Sequence, residues 1–197
     1  NAPREEFYGA TPLDDATLGS LGIRRPFLLY VGTIEARKNL GVLIDAGDLL
    51  PEGVQIVFAG RAGWRSRDIE ARIEAANSPG RYLRIGFAPD DLLPNLLASA
   101  DAMIYPSTYE GFGLPIIEAL AAVVPVIASD IPVFREVGSA AVAYFDPGSV
   151  EDLAATVQRV LSTELNSTAR QSRINQARHF DWSTSAAIVA NRLRETA

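Results

Sequence analysis

What most restricts the fold of this chain is a series of short apolar runs, most without a polar face, several ending on a glycine. Phe27 to Val31 (FLLYV) runs into Gly32, Val54 to Ala59 (VQIVFA) into Gly60, and Tyr82 to Ile85 (YLRI) into Gly86. Ala102 to Tyr105 (AMIY), Val126 to Ala128 and Val142 to Phe145 continue the series. Segments of helical character lie between them: Leu40, Leu43, Ile44 and Leu50 behind Asn39, then DIEARIEAA (68–76), then Asp90 to Ala98, then IIEALAAV. The two kinds of segment alternate every 20 to 25 residues or so. Strands covered by helices on both faces lose their polar side, so the pattern predicts a parallel α/β sheet. After Asp146 the pattern turns all-helical, with stripes at Val150, Leu153, Ala154, Val157, Val160 and Leu161 and at Trp182, Ala186, Val189 and Leu193. The expected fold is a Rossmann-like, doubly wound parallel sheet of about six strands with a helical C-terminal tail.

A length of 197 residues suits one domain plus tails. Residues 1–26, broken by Pro and Gly, read as a linker or arm; 27–165 as the sheet domain; 166–197 as C-terminal helices. The only Met is Met103, deep in the chain, which predicts a piece of a longer protein. The longest apolar run, Ala119 to Ala128, is interrupted by Pro125 and falls well short of the ~20 residues that a membrane span needs. The net charge of −6 argues against whole-domain nucleic-acid binding, and the basic stretch Arg61, Arg65, Arg67 and Arg72 reads as a solvated face. Without Cys, thiolate nucleophiles and thiolate metal sites are excluded. No Asp-x-Asp or His pair suggests a metal, and neither G-x-G-x-x-G nor G-x-x-x-x-G-K-[ST] is present, which speaks against a dehydrogenase or a P-loop ATPase. His179, the single imidazole, lies past the sheet and reads as packed or solvated rather than catalytic.

Doubly wound sheets bind ligands beyond the carboxyl ends of their strands, near the switch in strand order. The loop PSTYEGFGLP (106–115) is the most informative of those positions. Gly111 and Gly113 leave backbone N–H groups accessible, and Pro115 suits a first helical turn whose unpaired donors can hold a phosphate. Glu110 precedes that helix and Glu118 lies on it, so the two carboxylates can point into one cleft and accept hydrogen bonds from vicinal hydroxyls. The spacing alone equally allows two solvated charges at a helix start. Lys38 is the only lysine beside seventeen arginines, and it follows the first strand at the ligand-binding end.

The string E-G-F-G-L-P-x-x-E, from Glu110 to Glu118, resembles the signature of retaining GT-B glycosyltransferases of the family-4 type. In the same order, LYVGTIEARKNL resembles that family's first strand and phosphate loop, especially in its mannosyltransferase-like branch. GRAGW resembles the turn after the second strand, and RIGFAPDDLLPNLLASADAMIYPS the base-binding loop and the segment leading to the signature. The resemblance covers Phe27 to Trp182 and only the C-terminal, donor-binding half of such enzymes.

The resemblance implies transfer of a hexose from a nucleotide-diphosphate sugar, GDP- or UDP-linked with GDP-mannose the first guess, to an acceptor hydroxyl, without metal or other cofactor. A binding module without chemistry and a GT-B UDP-sugar epimerase are its alternatives. By the same resemblance Lys38 binds the donor diphosphate, Glu110 contacts the hexose, Glu118 holds the ribose hydroxyls, and Lys38 with Glu110 carries the catalysis. Gly32 and Thr33 belong to the phosphate loop; Thr33 stands where the family often has Arg, which leaves Arg37, then Arg65, as the second cation. Backbone N–H groups of Gly111, Phe112, Gly113 and Leu114 meet sugar and phosphate oxygens, and Phe112 either walls the sugar or anchors the loop. The base lies against Gly86 and Phe87. The remaining partner is an N-terminal acceptor domain of the same protein, with the final helix packing back toward the hinge. The implied location is cytoplasmic, with the parent protein peripheral at the inner membrane face.

Overall fold

A computed structural model of the chain describes residues 1–64, 66–76 and 80–195. Its centre is one six-stranded sheet, every strand parallel to its neighbours, in the order β3-β2-β1-β4-β5-β6. The strands are β1 (Phe27–Val31), β2 (Gln55–Ala59), β3 (Tyr82–Gly86), β4 (Ala102–Tyr105), β5 (Val126–Ser129) and β6 (Ala143–Phe145). β1, β2, β4 and β5 are buried along almost their whole length, as runs without a polar face require. The edge strand β3 is half-covered, in keeping with the arginine at its centre, Arg84. The chain winds outward from β1 to β3, then returns to β4 beside β1 and winds the other way. The switch point of the sheet therefore lies between β1 and β4, where Leu28 pairs with Ala102 and Leu29 with Met103.

Nine α-helices among the described residues surround the sheet: α1 (Asp15–Ser20), α2 (Gly41–Asp45), α3 (Arg67–Ala75), α4 (Leu93–Ser99), α5 (Leu114–Ala121), α6 (Pro132–Gly138), α7 (Val150–Leu161), α8 (Ser167–Arg178) and α9 (Trp182–Glu195). Two differ instructively from the sequence pattern. The stretch from Leu40 to Leu50 is a short helix that gives way to a 3-10 turn, Gly47–Leu49. There the Tyr82 hydroxyl, from β3, donates to the Ile44 carbonyl, and a side chain at Gly47 would collide with it. The helix expected from Asp90 begins later, at Leu93, because Pro94 occupies the first turn and Leu92 and Leu93 close a turn onto the Pro89 carbonyl. None of the helices among the described residues is long and apolar enough to cross a membrane.

The first 26 residues lie folded on the domain. Phe7 is fully buried, and Leu18 and Ile23 join the same core. Asp14 caps α1 by accepting from the Thr17 N–H, and the Leu13 N–H donates to Ser99 Oγ at the end of α4. At the other terminus α8 packs along α5, with Arg173 bonded to the Val123 carbonyl and Gln176 to that of Val137. In α9, Trp182, Val189 and Leu193 are exposed.

Candidate functional site

Two loops meet at the switch point. The first leaves β1 through Gly32, whose φ of 146° and close approach to the Tyr30 hydroxyl suit only a residue without Cβ. A Cβ on Gly60, which closes β2, would lie 1.8 Å from the Gly32 carbonyl oxygen, so the ends of β1 and β2 touch backbone to backbone. Tyr30 then donates to the Thr33 carbonyl at 2.8 Å, leaving the Thr33 side chain exposed. A 3-10 turn, Ala36–Lys38, ends on Asn39 in the left-handed region, where Asn39 Nδ2 donates to the Pro147 carbonyl. This turn sends Lys38 inward, where only 5% of the residue remains exposed.

The second loop follows β4 and clasps the first. The Thr108 N–H and Oγ1 both donate to the Arg37 carbonyl, and Glu110 closes over the lysine. Glu110 Oε1 accepts from Lys38 Nζ at 2.5 Å, from Ser107 Oγ at 2.9 Å and from the Tyr105 hydroxyl at 3.1 Å. Its Oε2 accepts from Arg37 Nη1 at 2.7 Å, while Arg37 Nη2 lies 2.7 Å from Glu35 Oε1. Burial pushes the Glu110 carboxyl up, but hydrogen bonds from Lys38, Ser107 and Arg37 outweigh it and hold the group below the ordinary carboxylate range. The group is thus a carboxylate that anchors two cations.

Beyond Glu110 the chain turns into α5. Gly111 has open space at its Cα, whereas Gly113 (φ 104°) sets its backbone against the Phe134 ring. No side chain caps α5, Pro115 carries no N–H and the Ile116 N–H is bonded to the Gly113 carbonyl, so what the helix start presents beside the exposed Leu114 is its positive dipole end. The Phe112 ring meets Phe180 edge to face at 5.4 Å, tying the loop to the segment after α8.

One turn into α5, Glu118 is 9% exposed. Burial pushes its carboxyl up to about 7, with Arg4 opposing and Asp90 adding to the rise. Arg4 and Asp90 themselves form a 3.6 Å ion pair, linking the N-terminal arm to the turn after β3. In that turn Gly86 has φ 72°, and Phe87 is exposed beneath the Arg61 guanidinium, 4.6 Å from its ring centroid.

The structure thus unites Lys38, Arg37 and Glu110 in one hydrogen-bonded cluster. Gly111 to Leu114 form its rim. Glu118 is not bonded to the cluster, although it and Glu110 both act on the Tyr105 phenol electrostatically. Gly86 and Phe87 stand farther along the same ligand-binding edge, at the end of β3. Arg65 lies outside the described residues. His179 is exposed and meets Phe180 edge-on at 5.6 Å, and Arg72 pairs with Asp45. Among the described residues no group of three or more His, Cys, Asp or Glu could hold a metal ion. Sequence reasoning passed over Tyr105 and Ser107, which sit in an apolar strand end and in its loop. The available signal was a hydroxyl at the carboxyl end of a strand that leads into a glycine-flanked carboxylate.

A lysine, an arginine and an uncapped helix start are together suited to a polyanion, and two carboxylates to hydroxyl groups. Residues 20–180 match the family described as Glycosyl transferases group 1. The chain is 35% identical over 161 residues to O-antigen chain mannosyltransferase B of Escherichia coli, covering 79% of this chain and 42% of that protein. It is 32% identical over 173 residues to the serotype-specific mannosyltransferase WbdA of Escherichia coli, covering 85% of this chain and 21% of that protein. The chain thus spans less than half the length of these relatives. Among solved structures, sucrose-phosphate synthase from Thermosynechococcus elongatus superposes with a TM-score of 0.80 at 25% identity, over 99% of this chain and 51% of that one. Anabaena Alr3699/HepE in complex with UDP and glucose gives 0.79 at 21% identity, over 95% and 55%, a likeness of fold. With most of its length inside the matched region and the parallel sheet that the neighbours share, this chain belongs to the group 1 glycosyl transferases.

Proposed function

We propose that the chain is the donor-binding half of a retaining, metal-independent hexosyltransferase acting on a nucleotide-diphosphate sugar. The observation that carries this reading is the Lys38–Glu110–Arg37 cluster at the switch point, beside the uncapped start of α5. Lys38, Arg37 and the positive dipole end of α5 stabilise the negative charge that builds on the departing diphosphate, a role worth ~3 kcal/mol for a single well-placed contact. Glu118, buried and one turn into the helix, accepts from the ribose hydroxyls. Glu110 has three donors on Oε1 and one on Oε2, so only its Oε2 side is open to a hexose hydroxyl.

Mannose from GDP-mannose is the first candidate donor, because the relatives named above are mannosyltransferases; a UDP-hexose is the second, because a neighbour of the same fold is described with UDP and glucose. On its own this chain binds donor without transferring it; the support is that it spans less than half the length of the mannosyltransferases it matches. A thermal-shift series with UDP, GDP and their hexose conjugates tests the site. A ligand at 100 times its dissociation constant stabilises the folded state by about 2.7 kcal/mol, and no shift with any of them overturns the reading.

A further inference from the structure

Among the described residues, the Tyr105 hydroxyl is the only side-chain group bonded to both Lys38 and Glu110. Its direction is dictated by its neighbours. An ammonium only donates and an ionised carboxylate only accepts, so the phenol accepts from Lys38 Nζ at 3.0 Å and donates to Glu110 Oε1 at 3.1 Å. Burial, then the Glu110 charge, pushes the phenol far above its ordinary range, so it keeps its proton.

The ring beneath the hydroxyl is fixed. Tyr105 is almost fully buried, stacks on Tyr30 with centroids 6.2 Å apart, and packs on Phe134 at 5.4 Å. Phe134 is also the ring against which Gly113 is set, and Tyr30 holds the Thr33 carbonyl. Lys38 Nζ lies 5.0 Å from the Tyr105 ring centroid. The ammonium ends a flexible four-carbon stem, and Glu110 alone fixes its distance but not its direction. With Tyr105 as a second partner, two of its three N–H bonds are defined and the third is left for a ligand.

We propose that Tyr105 is a positioning residue, holding the Lys38 ammonium so that its remaining N–H meets the diphosphate of the donor. This rests on the donor-site reading above. The test exploits the single lysine: the 197-residue chain grown with 13C-labelled lysine gives one Cε resonance, that of Lys38. Tyr105→Phe keeps the ring and removes the hydroxyl; Tyr82→Phe removes a hydroxyl on β3 that bonds the Ile44 carbonyl, away from the Lys38 cluster. The expected result is a shifted Lys38 resonance and about tenfold weaker binding of UDP or GDP for Tyr105→Phe, with neither change for Tyr82→Phe. In the wild-type chain, saturation with the diphosphate moves the Lys38 resonance. A wild-type chain that binds neither diphosphate overturns the donor-site reading and this proposal with it. Diphosphate binding that leaves Lys38 unmoved, or a Tyr105→Phe chain that matches wild type in both readouts, overturns the proposal alone.

Discussion

Lys38 and Glu110 reach each other across the switch point of the sheet, one carried by the turn after β1 and the other by the loop after β4, with 2.5 Å between Nζ and Oε1. Neither side chain needs the other for the fold of its own loop, because the Thr108 N–H and hydroxyl already join the two loops at the Arg37 carbonyl. The pair is a chemical arrangement on a scaffold that is complete beneath it.

Loss of Lys38 should therefore be felt more in chemistry than in folding. In an assay of the proposed transfer, Lys38→Ala is expected to lower kcat by about 100-fold, the usual effect of removing one electrostatic contact to developing charge. In chemical denaturation Lys38→Met should cost about 2 kcal/mol, less than the ~3–5 of an unpartnered buried charge, because Glu110 keeps Arg37, Ser107 and Tyr105.

Arg37 is half-exposed and shared between Glu35 and Glu110. Arg37→Gln should change stability by less than about 1 kcal/mol, as exposed ion pairs do. Donor affinity, measured by calorimetry, should nevertheless fall about tenfold if Arg37 supplies the cation that Thr33 does not. An unchanged affinity would leave the diphosphate to Lys38 and α5.

Glu118 makes stability depend on pH, and through its proposed role binding as well. Its folded-state value of about 7 stands above the ordinary 4.5, so between those limits the folded chain holds a proton that the unfolded chain releases. The resulting stabilisation is complete below pH 4.5 or so and is lost as pH rises through about 7, a change of about 3 kcal/mol at most. Glu118→Gln should flatten that part of the stability profile. With Glu118 in the proposed ribose-binding role, a nucleotide-diphosphate hexose, whose own charge is constant in this range, should bind more tightly at pH 8 than at pH 6, because the hydroxyls would donate to the ionised carboxylate. The glutamine variant should lack that rise.

The two glycines of the α5 loop should respond differently to alanine. Gly113→Ala places a methyl 3.1 Å from Phe134 Cε1 at a φ of 104°, and should destabilise by about 1–3 kcal/mol in thermal unfolding. Gly111→Ala meets nothing within 4 Å and should melt with the wild type.

Much of this arrangement was legible in the chain itself. β1, β2, β4 and β5 stand out because burial on both faces removes alternation, and Lys38, Glu110 and the glycine turn because they follow strand ends. What escaped depended on partners far away in sequence. The break after α2 is made at Ile44 and Gly47 by a hydroxyl from β3. Phe7, Leu18 and Ile23 belong to the core although Pro and Gly between them leave no period to read. The neighbour of Phe112 is Phe180, which local pattern does not connect to it. Tyr105 looked like one more apolar residue because only its oxygen, at the strand terminus, touches charge.

The burial of Lys38 has a practical side as well. The chain has no other lysine, and this one lies in a nest of acceptors. Amine-directed reagents such as biotin or fluorophore esters should therefore spare Lys38, so that material tethered to a sensor surface by this route keeps its ligand-binding edge unmodified.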